Sequence, residues 1–347
     1  EIHERLVGSE MCIRDRKKIM FMLVAVAAMA SSCTQSDVIG LSSDDNVEIR
    51  VSAGITSAVS PSTRAVVDGM INSNFTENLD VAFVRADEGG SGYGDYGGTA
   101  LVGTVAHTGK TLSFAPAEYY LANGKKTKLI GWYPRRTGVS YTQASREVNF
   151  GDIDGKTDLM ATVLYEGSKG TKIPSIAFNH LLTQFSIKVY APDAATQALW
   201  GRVTAITITG KKQNCTITLP EKTANAGVAV SPTFTGTADL DLVKADPTTP
   251  TTAISYPLTL GVGATAADAA MAGYAMFAPQ ANGTSAVELQ INTETGGLQK
   301  PTVAIPTGGF LPGNAYEITL KFSSSAITPT VSVVDWVPVT NTPEVEI

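Results

Sequence analysis

The aspartates and histidines of this sequence are the residues that could bind a metal ion or act as a catalytic base. The segment DIDGKTD holds Asp152, Asp154 and Asp158 around Gly155, a spacing similar to that of a calcium-binding loop. The bidentate glutamate that closes such a loop at its twelfth position is missing, so we predict a turn capped by aspartate side chains. His180 has apolar neighbours in FNHLLTQF, which predicts a structural histidine rather than a base or a metal ligand.

Other patterns of catalytic or cofactor chemistry are missing from the sequence, which has no HExxH, CxxC, GxSxG or P-loop motif. The glycine-rich stretch GGSGYGDYGG (89–98) does not lie between a strand and a helix, and no lysine follows it as in a phosphate-binding loop. We predict a surface loop there, in which exposed Tyr93 and Tyr96 could stack on sugars. We therefore predict no catalytic residue, no metal site, no cofactor and no enzymatic activity.

An apolar stretch near the N-terminus, residues 19–30, indicates export. A transmembrane helix needs about 20 apolar residues, whereas the apolar region of a signal peptide has about 7–15. Lys17 and Lys18 precede the stretch, and small residues separate it from Cys33. This arrangement looks like a bacterial lipobox, although Ala30 stands where leucine is usual, and it predicts a diacylated Cys33. The alternative is an ordinary secretory signal followed by a chance cysteine.

The start of the chain divides into three predicted segments. Residues 1–16 have mixed charge and no periodicity, and we interpret them as a non-native segment outside the fold. Residues 17–32 are predicted to be the signal peptide. Residues 33–46 are polar and rich in Ser and Asp, which favours a flexible tether between the anchor and the body.

Composition limits the partners of the exported part. The net charge is −6, and an acidic chain is a poor nucleic-acid binder, so we predict no nucleic-acid partner. Cys215 is the one cysteine after Cys33, so no intramolecular disulfide is expected once Cys33 is acylated. Cys215 lies in the alternating segment NCTITLP, which predicts a buried structural thiol.

Short stretches rich in β-branched and aromatic residues alternate with Gly, Asn and Asp clusters along the chain, which predicts an all-β protein. Only APDAATQALW and GATAADAAMAGYAMF are predicted to hold short helices. We predict two β-sandwich domains, one over residues 47–192 and one over residues 193–347.

Several segments, taken in order, resemble those of the fimbrillins, the pilins of Bacteroidales. They follow the lipoprotein signal and are STRAVV (62–67), LIGWYP (129–134), KTDLMAT (156–162), IAFNHLLTQFSIKV (176–189), LPGNAYEITLKF (311–322) and VSVVDWVPV (331–339). The TDLM and FNH pieces carry the most weight, because a generic β-sandwich requires neither. The resemblance implies two tandem transthyretin-like β-sandwich domains and a location at the outer membrane and in extracellular fimbriae.

The resemblance also implies an assembly route, in which a trypsin-like protease cuts the lipid-anchored precursor after an arginine. Arg64 followed by Ala65 is the predicted cleavage site, and Arg50, inside a predicted strand, is the weaker candidate. The cut would release the first strand, and a strand of another fimbrial subunit would fill the groove. The C-terminal segment 328–347 is either such a donor or a resident edge strand.

The resemblance implies that the protein is a stalk or tip subunit of fimbriae and supports adhesion. The alternative is a permanently anchored surface lipoprotein that binds host glycans or proteins.

Overall fold

A computed structural model describes residues 46–56, 75, 77–247 and 252–334. The predicted signal peptide, Cys33, Arg64, Ala65 and residues 335–347 therefore lie outside the described residues. The predicted all-β fold is confirmed, since strands dominate every described region. The strands are β1 Val51–Thr56, β2 Leu79–Asp87, β3 Leu101–Val105, β4 Thr111–Phe114, β5 Thr127–Tyr133, β6 Ser140–Thr142, β7 Glu147–Asp152, β8 Met160–Thr162, β9 Tyr165–Gly167, β10 Ser175–His180, β11 Thr183–Ala191, β12 Val203–Thr218, β13 Ser231–Asp241, β14 Gly261–Val262, β15 Ala270–Phe277, β16 Val287–Thr293, β17 Gly297–Gln299, β18 Thr302–Val303, β19 Ala315–Phe322 and β20 Ile327–Val334.

The first sheet closes on itself. Its strands follow the order β2-β3-β4-β1-β10-β8-β5, and β5 pairs back with β2, while β9 is attached to β5. We call this closed, barrel-like set of seven strands the ring. The predicted pair of tandem transthyretin-like sandwiches is therefore not confirmed and remains a proposal. A sandwich has two separate sheets, whereas these N-terminal strands form one closed sheet.

Two further sheets form the rest of the fold. A five-stranded sheet has the order β14-β11-β19-β20, with β15 also paired to β11. A seven-stranded sheet has the order β17-β16-β12-β7-β6, with β13 on β12 and β18 on β16. Apolar side chains of both sheets, such as Phe185, Ile318, Ile206 and Leu289, meet in one core, so the two sheets form a sandwich.

The ring has an apolar interior of its own, because inward and outward side chains alternate along its strands. Val81 and Phe83 of β2 point into the interior core, whereas Ala82 and Val84 belong to a second core outside the ring. This outer core also contains Ile217 of β12 and neighbouring residues of β7 and β15. The ring therefore packs through one outer wall against the strands of the sandwich.

The strand pairing crosses the predicted boundary between residues 192 and 193, which stays a prediction. β11 precedes the boundary but is the central strand of the five-stranded sheet, between β15 and β19. β7 also precedes it, and it pairs with β12 of the second half. Both contacts tie the halves together by backbone hydrogen bonds.

One of the two predicted helices is confirmed. Helix α1, Ala194–Trp200, begins where Asp193 accepts a 2.7 Å hydrogen bond from the Thr196 N–H, and it ends at Gly201 with φ +68°. The prediction is wrong for the alanine-rich GATAADAAMAGYAMF, which holds one short 3-10 turn, Ala266–Asp268, followed by β15. Burial of Ala272 to Phe277 between sheets overrides the helix propensity of alanine. Among the described residues, we find no helix with the length and hydrophobicity needed to cross a membrane.

Candidate assembly site

Strand β1 closes the ring between β4 and β10. It runs parallel to β10, with Ser52 beside Ser175 and Thr56 beside Asn179, and antiparallel to β4, with Val51 beside Leu112. The Ala53 N–H donates a 2.8 Å hydrogen bond to the carbonyl of Lys110. Both edges of β1 are thus occupied, and the ring is closed only while β1 is in place.

Four side chains of the β1 segment fill the ring interior. Ile49, Val51, Ala53 and Ile55 alternate along the chain and are between 1% and 6% exposed. The alternation expected from VEIRVSAGI thus matches the structure. Fully burying a side chain such as Ile or Val contributes about 1.5–3 kcal/mol. The segment is therefore an apolar plug as well as a pairing partner.

Phenylalanines surround the seat of β1 inside the ring. Phe83 lies at the centre and makes edge-to-face contacts with Phe114 of β4 and Phe178 of β10, with ring centroids 5.5 and 5.9 Å apart. Phe83 fits because Gly131 faces it, where a Cβ atom would lie 2.5 Å from the Phe83 ring. The two strands that flank β1 thus present large apolar side chains to its seat.

The residues just before β1 also pair with the ring through backbone hydrogen bonds. The Ile49 N–H donates to the carbonyl of Glu118, and the Tyr120 N–H donates to the carbonyl of Val47, at 2.7 and 2.9 Å. The side chain of Arg50, the weaker cleavage candidate, is exposed and bonds to Glu48 at 2.8 Å. The Arg50 peptide bonds lie within this paired segment, where a protease has poor access to the backbone.

At the other end of the chain, β20 occupies the resident edge position that was one of the two predicted roles for the C-terminal segment. It forms a hairpin with β19, from Phe322 beside Ile327 to Ala315 beside Val334. Among the described residues it pairs with no strand on its other edge, and Val333 is 44% exposed. The donor role for segment 328–347 stays a prediction, and its residues 335–347 lie outside the described residues.

The TDLM and FNH motifs meet in the structure. His180 at the end of β10 bonds through Nδ1 to Oδ2 of Asp158 at 2.6 Å, and the His180 side chain is buried. The Leu181 N–H also donates to the carbonyl of Leu159. These contacts fix the end of β10 against β8, so the predicted structural role of His180 is confirmed.

The predicted aspartate-capped turn in DIDGKTD is also confirmed. Asp154 Oδ1 accepts hydrogen bonds from the N–H groups of Lys156 and Thr157 at 3.0 and 2.7 Å. Among residues 46–56, 75, 77–247 and 252–334, no group of three His, Cys, Asp or Glu side chains is arranged to hold a metal ion. The buried thiol prediction for Cys215 is confirmed, and burial raises its pKa to about 12.

The prediction of exposed tyrosines is wrong for Tyr96, whereas Tyr93 is half-buried. Tyr96 is 2% exposed, and its hydroxyl donates to the carbonyl of Pro220 at 3.1 Å. The Tyr93 hydroxyl donates to Glu166 at 2.7 Å, and the Lys128 ammonium lies 4.0 Å from the centre of the Tyr93 ring. Both tyrosines anchor the glycine-rich loop to the body, and the buried Tyr96 ring is not free to stack on a sugar.

Two features of the ring were not predicted from the sequence. One is the buried Lys128, which donates hydrogen bonds to the carbonyls of Lys222 and Ala224 at 2.9 and 2.7 Å. The other is β4, whereas β10, on the opposite side of β1, lies in a stretch that was predicted to be a strand. The alternation in TLSF was the available signal for β4, since Leu112 and Phe114 point inward.

Comparisons with known proteins agree with the resemblance in the sequence. The profile of the fimbrillin-like family matches residues 63–336, a stretch that begins after β1. Searching the curated proteins gave no match.

Solved structures share the fold of this chain. A candidate cell adhesion protein from Bacteroides uniformis superposes with a TM-score of 0.55 at 16% identity, covering 84% of this chain and 98% of its own. Another, from Bacteroides ovatus, gives a TM-score of 0.51 at 15% identity with the same coverage of both chains. At these identities the likeness concerns the fold alone, whereas the family profile spans most of the sequence. The chain belongs to the fimbrillin-like family.

Proposed function

We propose that this chain is a stalk or tip subunit of cell-surface fimbriae that supports adhesion. In this proposal it is exported as a lipoprotein on Cys33, cleaved between Arg64 and Ala65, and joined to other subunits by donor-strand insertion. The observation that carries the proposal is the position of β1, which fills the ring between β4 and β10. Membership of the fimbrillin-like family supports the fimbrial role.

The position of Arg64 in the sequence supports a cut that frees β1. β1 ends at Thr56, and the chain is next described at Phe75, which is buried in the ring core. Arg64 and Ala65 lie between these two points. Cleavage there leaves Phe75 and the rest of the ring in the mature subunit, with β1 attached only through the contacts it makes.

Loss of β1 would turn the ring into an acceptor for another strand. The facing edges of β4 and β10 would present unpaired N–H and C=O groups beside the side chains of Leu112, Phe114 and Phe178. Such an edge is a template for strand addition, in which backbone hydrogen bonds supply affinity and side-chain pockets supply specificity. Because the groove and the donor differ, the contact is head-to-tail and extends into a filament.

The remaining parts of the proposal follow from this route. The partners are other fimbrial subunits, a trypsin-like maturation protease and the outer membrane, which holds the precursor through its lipid. Segment 328–347 is the candidate donor, and its alternative role is that of a resident edge strand. The proposed organisation has two β-sandwich domains, and the protein acts by binding rather than by catalysis.

Limited proteolysis tests the proposal. Purified precursor is treated with trypsin, and the products are examined by SDS gel electrophoresis without boiling and by N-terminal sequencing. We expect a new N-terminus at Ala65 and a ladder of SDS-resistant oligomers. The matched controls are Arg64→Ala, which should give neither product, and Arg50→Ala, which should give both.

Trimming at Arg64 without any oligomer would contradict assembly by strand insertion. That outcome would exclude a stalk subunit and favour a tip subunit or the alternative of a permanently anchored surface lipoprotein that binds host glycans or proteins.

A further inference from the structure

Lys110, in the turn between β3 and β4, contacts the chain on both sides of the segment that contains Arg64. The Lys110 carbonyl accepts the 2.8 Å hydrogen bond from the Ala53 N–H of β1. The Lys110 ammonium donates to the carbonyl of Phe75 at 3.2 Å and lies 3.3 Å from the centre of the Phe75 ring. One residue therefore holds both the strand that would leave and the chain that would stay.

Phe75 is part of the ring interior. Its side chain is 7% exposed and belongs to the same core as the inward side chains of β1. If the mature subunit begins at Ala65, Phe75 is the first of its residues that the structure describes. Phe75 therefore stays with the ring after the cut and adds apolar surface to the interior that β1 vacates.

The backbone of Lys110 is strained. Lys110 has φ +47°, in the left-handed region that favours glycine, and it follows Gly109 at φ +76°. A residue with a Cβ atom is unfavourable there, and it persists where surrounding contacts hold it. The contacts of the ammonium with Phe75 are such contacts, and in this conformation the Lys110 carbonyl meets the Ala53 N–H.

Both contacts of the Lys110 ammonium with Phe75 are of strong kinds. A hydrogen bond from a charged donor is roughly twice as strong as one between neutral groups. A cation over an aromatic face is attracted by the ring electrons, and more so where water is excluded, as at half-buried Lys110. Neither contact involves β1, so both persist when β1 leaves.

We propose that Lys110 is a positioning residue of the acceptor groove, an inference that rests on the function proposed above. After β1 has left, the Lys110 ammonium keeps Phe75 in the ring, and the Lys110 carbonyl is presented to a backbone N–H of the incoming strand. The partner is an extended strand of another subunit whose residue in the place of Ala53 is not proline, because proline has no N–H to donate.

Uptake of a labelled β1 peptide tests the proposal. The full chain is cut at Arg64 with trypsin, the trypsin is inhibited, and a fluorescent peptide of residues 46–56 is added. Binding and release are followed by fluorescence anisotropy. A peptide methylated on the Ala53 nitrogen cannot donate to the Lys110 carbonyl, and we expect it to bind about tenfold more weakly than the unmodified peptide.

Substitutions of Lys110 test the role of its ammonium. Lys110→Met removes the charge at nearly constant length and should release the peptide about fivefold faster. Lys110→Arg keeps a cation with N–H donors and should release it like the wild type. The matched control is Lys125→Met, which removes an ammonium that donates to the carbonyl of Gly89 at 2.6 Å, and it should leave release unchanged.

Chymotrypsin, which cuts after aromatic residues, measures whether Phe75 stays in the ring. In the trypsin-cut chain, Lys110→Met should speed cleavage after Phe75, whereas Lys110→Arg should not. Cleavage after Phe185, which is fully buried in the sandwich core, reports general unfolding and should be equal in all variants.

The outcomes separate this inference from the proposed function. A wild-type chain that takes up no peptide after the cut would overturn both. Uptake by the wild type would overturn the inference alone in three cases: if Lys110→Met releases the peptide and protects Phe75 as the wild type does, if Lys110→Arg behaves like Lys110→Met, or if methylation at Ala53 changes nothing.

Discussion

Strands β1 and β20 lie at the two ends of the described chain and are held in opposite ways. β1 has partners on both edges, and its inward side chains, Val51, Ala53 and Ile55, are buried in the ring. β20 pairs with β19 on one edge, and most of its residues are exposed or half-buried. The partners of β1 are distant in sequence, whereas β20 follows β19 directly through a tight hairpin.

The comparison shows that a strand can be firmly bound in the fold and still be replaceable by another strand. β20 pairs with its neighbour over eight residue pairs, and the hairpin connection re-forms the contact whenever it opens. The inward side chains of β1 are buried, but its strand partners, β4 and β10, come much later in the chain. Once the connection after β1 is cut, the whole contact becomes intermolecular, and a competing strand of similar pattern can displace it.

Truncation of a plug residue should have the largest effect on stability. Ile49→Ala is expected to lower the free energy of unfolding by about 2–5 kcal/mol, because it leaves a cavity in the ring. Val333→Ala in β20 is the matched control and should change it by no more than about 0.5 kcal/mol, because that side chain is already exposed. Urea unfolding of both variants gives the comparison. Equal losses would show that β1 is no better enclosed than β20.

A smaller effect is expected from filling the space opposite Phe83. Gly131→Ala places a Cβ atom 2.5 Å from a ring that is held between Phe114 and Phe178. Overpacking of this kind costs about 1–3 kcal/mol, which thermal unfolding measures. Gly90→Ala is the control, because a Cβ there meets no atom within 4 Å. Unchanged stability of Gly131→Ala would mean that the ring interior is looser than its contacts indicate.

The smallest effect is expected for the stability of the fold at acidic pH, through Glu166. The hydrogen bond from Lys126, at 2.6 Å, is the main cause that lowers the pKa of Glu166 below its ordinary value of 4.5. A lowered pKa in the folded state means that ionised Glu166 stabilises the fold, and that this contribution is lost as the pH falls through that pKa.

Thermal unfolding between pH 7 and pH 3 measures this effect. Below pH 4.5 the wild type should lose stability more steeply than Glu166→Gln, by up to about 1 kcal/mol. Glu294→Gln is a second case from the sandwich, where Glu294 pairs with exposed Arg202 and its pKa is also lowered, so the same sign is expected. A steeper acid loss in Glu166→Gln than in the wild type would reverse the sign and contradict the prediction.

Local patterns in the sequence predicted much of this structure. The β-branched and aromatic stretches identified β1 and several other strands, and the segment APDAATQALW was predicted to hold the short helix α1. The turn at Asp154 and the buried Cys215 also followed from nearest neighbours in the chain. In each case a few adjacent residues determine the local structure, so it could be predicted from a single sequence.

Features that depend on distant contacts were not predictable in this way. Alanine-rich β15 became a strand because the two sheets bury it, against its helix propensity. Tyr96 is buried because Pro220 offers its hydroxyl an acceptor, and Asp158 meets His180 only through the pairing of β8 with β10. Ring closure is the clearest example, since no local pattern specifies that β2 returns to β5.

The parallel register between β1 and β10 has a consequence for the order of folding. Residues 52 and 175 are neighbours in space, so the first strand to be made waits for one of the last strands of the ring. Contacts between distant parts of a chain form slowly, because loop closure must precede the gain in contacts. We expect β1 to dock last, onto a ring whose other six strands are already paired. The folding pathway of the precursor would then pass through the same open form that a donor strand enters during assembly.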